Sequence, residues 1–441
     1  MKRSGDTDTG RLLGYFAVII AAGAVLLSLP AAWAGPGSRL PAIDALFVST
    51  SAVCVTGLST VDTSLFSRFG LVIIMGLIQA GGLGIITFTS LLLMLPGRRL
   101  AFRRLKTIRS FSMEGVEHDP ARIIRDIVLF TFAIEAAGAA ILWFLFDRAG
   151  VPDGVFAAAF HSVSAFCNAG FSTFSDNLEG FSRNPAVLLV VSTLVVTGGI
   201  GFVVLQDLAR WALRRKRDLS YHTKLMLACT AVLIVVGAVA FWLIEGRNAF
   251  AGMSPLDRAV NALFQSITPR TAGFDAVPQD ALRQPSKFIT MLLMFIGGAP
   301  GSIAGGVKIS AAYIVLVVML KRANERGEIN SFGRRLTPGT IDSAVIYFIK
   351  AVFLLVFAAG VLSVVEGPRG ADLGAIAFEV TSAFGTVGLS LGLTPLLGVA
   401  GKLVIITTMY AGRVGLLAFA FLGGSTGRQR YVYPEAEILV G

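Results

Sequence analysis

The chain has 441 residues, 54% of them hydrophobic and only 15% charged, with a mean hydropathy of +0.74. A water-soluble protein of this length needs far more charge on its surface, so the composition excludes one and implies an integral membrane protein. The net charge of +11 does not point to nucleic acid, because 24 of the 38 basic residues fall in alternate gaps between apolar runs.

Those basic groups are Lys2, Arg3 and Arg11; Arg98 to Arg125; Arg210 to Lys224; Lys321 to Arg335; and Arg428 with Arg430. Such alternation is the positive-inside signature and puts both termini in the cytoplasm. The first apolar run, 12–33, is too long for a signal-peptide core and reads as a retained membrane helix. Further full-length runs follow at 66–95, 122–147, 185–213, 223–245, 286–320, 341–365 and 397–423. A bilayer needs about 20 residues per helix. Between the members of each successive pair lies a shorter apolar segment, near 41–53, 154–166, 257–267 and 372–384. A dozen residues cannot span, but they can enter and turn back where backbone is covered by protein or lines water.

Each short segment ends in a similar stretch: SAVCVTGLS, SAFCNAGFS, SITPRTAGF and SAFGTVGLS. Their central glycines, Gly57, Gly170, Gly273 and Gly388, are separated by 113, 103 and 115 residues. Ser51, Ser164 and Ser382 stand six residues before the glycine, and Ser266 stands seven before. This predicts an all-α membrane protein of four helix–pore-loop–helix repeats, over 1–97, 98–215, 216–322 and 323–441, with eight spanning helices and four re-entrant half-helices around a central pore.

An ion crossing a bilayer exchanges its water shell for protein oxygens, and rings of backbone carbonyls suit potassium. Glycine most readily adopts the φ/ψ values that turn carbonyls inward. One copy alone would read as an ordinary helix-ending turn; four copies predict a filter of Val55, Thr56, Gly57; Asn168, Ala169, Gly170; Thr271, Ala272, Gly273; and Thr386, Val387, Gly388. The carboxyl ends of four half-helices would favour a cation at its inner side. Asp62, Asp176 and Asp275 follow three of the stretches, either gathering cations at the outer mouth or standing as plain loop residues.

The sixth run is interrupted by GGAPGSIAGGVK, with Gly297, Gly298, Gly301, Ser302, Gly305, Gly306 and Lys308. It is expected to lie below the filter as a flexible gate, with a passive packing break as the alternative. A phosphate-binding loop is excluded, because Val307 separates Gly306 from Lys308 and no strand precedes it. Arg413, inside the last apolar run, is costly there and is expected to bond the carbonyls of the interrupted stretch. Arg270, in the third stretch, should point away from the axis toward a carboxylate such as Glu379. Cys54, Cys167 and Cys229 show neither disulfide nor metal spacing. A coupled carrier would want acidic relays, and Glu135 is the main acid inside a run; an intramembrane enzyme would want a nucleophile–base pair, and none is found, so no enzyme is expected.

On the four glycine stretches, GGAPGSIAGGVKIS, AGRVG and the closing YVYPEAEILVG, the chain resembles the Ktr/Trk/HKT superfamily of potassium transporters. Eight runs, without two extra N-terminal helices, are most similar to its KtrB-like membrane subunits. The resemblance implies a bacterial inner-membrane protein with K+ as substrate ion, Na+ as activator and no cofactor in this chain. It also implies a homodimer with one pore per subunit, joined partly through the C-terminal tail. A cytoplasmic KtrA-type ring that responds to ATP and ADP would be its partner, although the basic loops suit anionic lipid equally well. Departures from that pattern are Ile303, where threonine is frequent, and Cys167, where a polar residue is frequent.

Overall fold

A computed structural model describes residues 4–94, 120–214, 217–320 and 329–415. The closing YVYPEAEILVG, the terminal basic residues, most of the second basic group and the end of the 397–423 run lie outside the described residues. In chain order the helices are α1 (Ser4–Leu27), α2 (Ala42–Cys54), α3 (Arg68–Met94), α4 (Pro120–Arg148), α5 (Gly154–Phe166), α6 (Pro185–Gly199), α7 (Phe202–Ala212) and α8 (Tyr221–Glu245). They continue with α9 (Pro255–Ile267), α10 (Gln284–Phe295), α11 (Ile309–Leu320), α12 (Pro338–Glu366), α13 (Leu373–Gly385) and α14 (Val399–Tyr410), which passes into a π turn at Ala411–Gly415.

Among the described residues, four helices are long and apolar enough to cross a bilayer unaided, over Arg68–Phe88, Ala121–Arg148, Tyr221–Glu245 and Pro338–Arg369. The bent pair α6–α7 makes a fifth if taken as one span, and Leu12–Leu27 and Ile309–Leu320 are shorter apolar helices. The protein is therefore a multi-pass helical membrane protein.

The short segments form α2, α5, α9 and α13, each within two residues of its expected bounds. Each packs on the long helix before it, as α1 with α2, α4 with α5, α8 with α9 and α12 with α13. Each also touches the second helix of the preceding unit: α3 with α5, α6 with α9, α10 with α13 and, closing the circle, α14 with α2. Three of the first kind of joint share one device. Ser49 donates to the carbonyl of Ile20 (2.7 Å), Ser162 to that of Glu135 (2.7 Å) and Ser266 to that of Ile234 (2.8 Å). Gly23, Gly138 and Gly237, three residues further along, leave the space in which each hydroxyl sits. These buried hydroxyls satisfy themselves on backbone, which is how short polar groups are tolerated among apolar helices.

One expected helix is not continuous. The run 185–213 is two helices bent by 105° at Ile200–Gly201, where Gly201 has φ +93°. The cause is the interrupted stretch of the sixth run, now a loop between α10 and α11. Its Ala299 N–H donates to Gly199 O (3.0 Å) and its Ile303 N–H to Gly198 O (3.4 Å), while Phe202 N–H donates to Gly301 O (3.0 Å). Helix ends leave backbone groups without intrahelical partners, and the two breaks supply partners to each other. The hairpin β1 (Ile329–Ser331) with β2 (Arg334–Leu336) was also not expected. Its turn residues Phe332 and Gly333 have φ +46° and +70°, and Tyr221 donates to Ser331 O (3.2 Å).

Candidate functional site

The four glycine stretches meet. A Cβ added to Gly57 would stand 2.5 Å from Ala169 O and 3.2 Å from Gly170 Cα; one on Gly170 would stand 2.8 Å from Ala272 O and 3.0 Å from Gly273 Cα. One on Gly273 would meet Val387 O and Gly388 Cα, and one on Gly388 would meet Thr56 O and Gly57 Cα. The contacts run in chain order and return to the start, so the four glycines form a closed ring. Each has positive φ: +101°, +68°, +74° and +104°. Two residues before each glycine stands a non-glycine in the left-handed region: Val55 (+55°), Asn168 (+57°), Thr271 (+72°) and Thr386 (+50°). Thr56, Ala169, Ala272 and Val387 between them keep ordinary negative φ. Such values are rare for β-branched residues, and here they recur at one position in all four stretches.

The stretches are tied back to their own short helices. Gly57 N–H donates to Ser51 Oγ (3.0 Å) and Gly388 N–H to Ser382 Oγ (3.1 Å), whereas Ser164 donates to Phe171 O (2.7 Å). In the third stretch Thr268 takes that part, donating to Phe274 O (2.7 Å). Ser266, aligned with the other serines by the sequence, instead pins α9 to α8. That stretch is one residue shorter, so the count from the glycine slips by one. The buried Oγ1 atoms of Thr56 and Thr386 have no hydrogen-bond partner in the protein. With its amide turned to donate to Ala165 O (3.0 Å) and Val195 O (3.1 Å), Asn168 presents its oxygen toward Thr271. Asn177, not foreseen, donates to Gly170 O (3.3 Å).

The loop of Gly297, Gly298, Gly301, Ser302, Gly305, Gly306 and Lys308 lies beside the ring. A Cβ on Gly305 would meet Thr386 Oγ1 and stand 3.0 Å from Gly385 O. Gly301 and Gly306 have φ +75° and +64°, and Ser302 donates to Ala299 O (2.6 Å). The loop closes on itself where Gly297 N–H donates to Val307 O (2.9 Å) and Val307 N–H to Phe295 O (3.1 Å). Lys308 Nζ folds back on Ala304 O, and Tyr347 on α12 donates to Gly306 O (3.3 Å). Arg413, buried, donates to Ile303 O and to Gly81 O on α3 (3.3 Å). It thus ties the loop to α3.

Arg270 does not meet Glu379. Glu379 accepts from Ser390 Oγ (3.0 and 3.1 Å) on the far side of the fourth stretch. Arg270 instead lines a cavity of about 10 Å³ with Thr230, Gly199 and Gly298, which is room for about one water. Asp62 accepts from Ser64 N–H (2.8 Å) and so serves its own turn. Asp176, Asp275 and Asp280 each lie near Glu179, and Asp280 also lies near Asp275. Glu179 is raised above the usual carboxylate range by partial burial, then by the charges of Asp176 and Asp280.

Residues 18–423 match the TrkH family, described as cation transport protein. This chain is a member of the TrkH family. It is 37% identical to Ktr system potassium uptake protein B of Bacillus subtilis, over 97% of this chain and 95% of that one. To potassium/sodium uptake protein NtpJ of Enterococcus hirae it is 37% identical over 97% and 96%. Ktr system potassium uptake protein B of Vibrio alginolyticus is 35% identical over 100% and 96%. The crystal structure of the potassium transporter TrkH from Vibrio parahaemolyticus matches with a TM-score of 0.78 at 21% identity, covering 96% of this chain and 86% of that chain. The TrkH-family fold is thus shared over almost the whole length.

Proposed function

We propose that this chain takes up potassium across a bacterial inner membrane through the ring of Gly57, Gly170, Gly273 and Gly388, with the loop 296–308 as gate and both termini in the cytoplasm. The observation that carries it is the closure of the four glycine contacts in chain order. In this reading each unit is a long helix, a half-helix, a filter stretch and a second long helix. α6–α7 is the fourth of eight spans, and α10, the loop and α11 are the sixth. The alternating φ signs of each stretch turn successive carbonyls toward one axis, where they replace water around K+ without adding fixed charge. The carboxyl ends of α2, α5, α9 and α13 lend partial negative charge below. Arg413 neutralises loop carbonyls that would otherwise bind the ion and hold it.

We further propose, on the resemblance to KtrB-like subunits, a homodimer on a KtrA-type ring responding to ATP and ADP, with Na+ as activator; the similarity to Ktr system proteins supports membership of such a system. A cation-coupled carrier, driven by Na+ or H+, is the second reading, its sodium form favoured by the similarity to NtpJ, a potassium/sodium uptake protein. Purified protein in liposomes, alongside Gly57→Ser, separates them. K+-selective flux in the parent, reduced in the variant, supports the filter. Robust flux without preference overturns it, and K+ flux that stops without a sodium gradient brings the carrier forward.

A further inference from the structure

Glu135 occupies a place on α4 that Ile20 and Ile234 occupy on α1 and α8: in all three, the residue's carbonyl accepts a short-helix serine. The second unit alone among these puts an acid there. Its side chain is 4% exposed, and its oxygens face an amide and a thiol, not a cation. Gln79 Nε2 on α3 donates to Oε2 (3.0 Å), and Cys167 Sγ lies 3.8 Å from Oε1 and 3.4 Å from Gln79 Oε1. A carboxyl inside the bilayer is costly to keep unless it is hydrogen-bonded, so its placement asks what it holds.

What it holds is Cys167, the residue before Asn168 at the start of the second glycine stretch. Gln79 shares a turn of α3 with Gly81, whose carbonyl accepts from Arg413, and with Gly82. A Cβ at Gly82 would stand 2.9 Å from Cys167 Sγ and 3.5 Å from Ile303 Cγ2. That one turn therefore touches the second stretch and the broken loop together.

We propose that Glu135 is a positioning residue for ion selection: its carboxyl fixes the second glycine stretch to the turn Gln79–Gly82, and through it to the loop that Arg413 holds. The proposal rests on the filter and gate reading above.

The test compares K+ and Na+ flux in proteoliposomes for the parent, Glu135→Ala, Glu135→Gln, Cys167→Ala and the Glu135→Ala/Cys167→Ala pair, with Gly57→Ser as marker of the filter itself. Glu135→Ala lowers the K+/Na+ ratio about tenfold, the loss of one buried hydrogen bond to a carboxyl. Cys167→Ala lowers it about threefold, because a thiol donates weakly. The double variant is no worse than Glu135→Ala, since both act on one contact. Glu135→Gln stays within about threefold of the parent, because an amide carbonyl still accepts. The half-saturating K+ concentration rises while the maximal rate per folded protein holds; a merely structural loss lowers the maximal rate alone. A selective parent whose selectivity falls in Gly57→Ser, yet stays within about twofold in both Glu135→Ala and Cys167→Ala, overturns the proposal and spares the filter. A double variant equal to the product of the singles also overturns it. A parent without preference overturns the filter reading and this proposal with it. Should Glu135→Ala not purify as folded protein, Cys167→Ala decides by the same thresholds.

Discussion

The seam between the last helix and the first short helix is held by an ion pair whose two halves should not be equal. Lys402 Nζ near the start of α14 lies 2.5 Å from Asp44 Oδ1 in the first turn of α2, with side chains 14% and 10% exposed. Removing one partner of a buried pair costs about 3–5 kcal/mol, whereas an exposed pair is worth under about 1 kcal/mol. Slight exposure puts this pair near the low end, at about 3 kcal/mol. Asp44 stands at the positive end of the α2 dipole, which favours a carboxylate by about 0.5 kcal/mol and disfavours an ammonium by as much. Asp44→Ala leaves Lys402 facing that end unopposed, at a cost of about 3.5 kcal/mol; Lys402→Ala leaves a carboxylate the helix still favours, at about 2.5 kcal/mol. Asp44→Ala with Lys402→Met removes both charges and recovers all but about 1 kcal/mol. Heating in detergent, followed by size exclusion of the surviving protein, should rank parent, double variant, Lys402→Ala, Asp44→Ala. Equal or inverted single variants refute the dipole argument, and a double variant below both singles refutes the pair.

Ser51→Ala and Ser382→Ala each remove the partner of a half-buried glycine N–H, a loss of about 1 kcal/mol, and should lower the K+/Na+ flux ratio about fivefold. Ser266→Ala should lower thermal stability and leave that ratio alone, because its bond is to α8. Tyr347→Phe removes a long hydrogen bond from Gly306 O and should raise K+ flux by up to about threefold in a fluorescence-quench assay, with selectivity unchanged. Glu179 takes up its proton above the usual carboxylate range. The half-saturating K+ concentration should therefore rise as external pH falls through that raised value, and Glu179→Gln should be flat there. The folded chain binds this proton more tightly than the unfolded one, so the same titration stabilises the fold as pH falls and that gain is lost as pH rises.

The ring was legible because it is written in backbone chemistry: a glycine with positive φ after a short apolar segment leaves the same letters four times. The bounds of the four short helices were legible to within two residues, whereas the first helix, expected at 12–33, runs Ser4–Leu27 instead. What escaped depends on partners distant in sequence. Gly198-Gly199-Ile200-Gly201 reads as a flexible patch in an apolar run, and only the docked loop turns it into a right-angled break. Arg270 was expected to face a carboxylate such as Glu379, but Glu379 is claimed by Ser390 from its own loop. Thr268 was hidden by a one-residue deletion that shifted the comparison to Ser266. Two acids show a repeat that no spacing revealed: Glu245 accepts Arg283 N–H at the start of α10 (2.9 Å), and Glu366 accepts Gly398 N–H at the start of α14 (3.0 Å). Both cap the second helix of their unit from the end of the first, a role that needs the fold to become visible.

The gate proposed here is cheap to open because of how it is held. Three backbone hydrogen bonds fasten the loop to α6 and α7, and Tyr347 adds one from α12. At about 1 kcal/mol net each, releasing these four costs about 4 kcal/mol, before the Arg413 contacts are counted. Left bare at membrane depth, those same groups would cost several kcal/mol apiece, which would forbid the motion outright. The difference is water. A loop that swings from the ring lets the pathway hydrate, and water takes over the carbonyls of Gly198 and Gly199 as it takes over those of the loop. Opening and wetting are then one event. A cytoplasmic partner need supply only a few kcal/mol of preference for the open form to control it. Arg413 is the exception, since its bonds to Ile303 O and Gly81 O would have to part in a cation pathway, where freed guanidinium charge opposes K+. In the proposed gate, Arg413 would then be the contact that sets the resting state, and the backbone bonds the ones that let it be left.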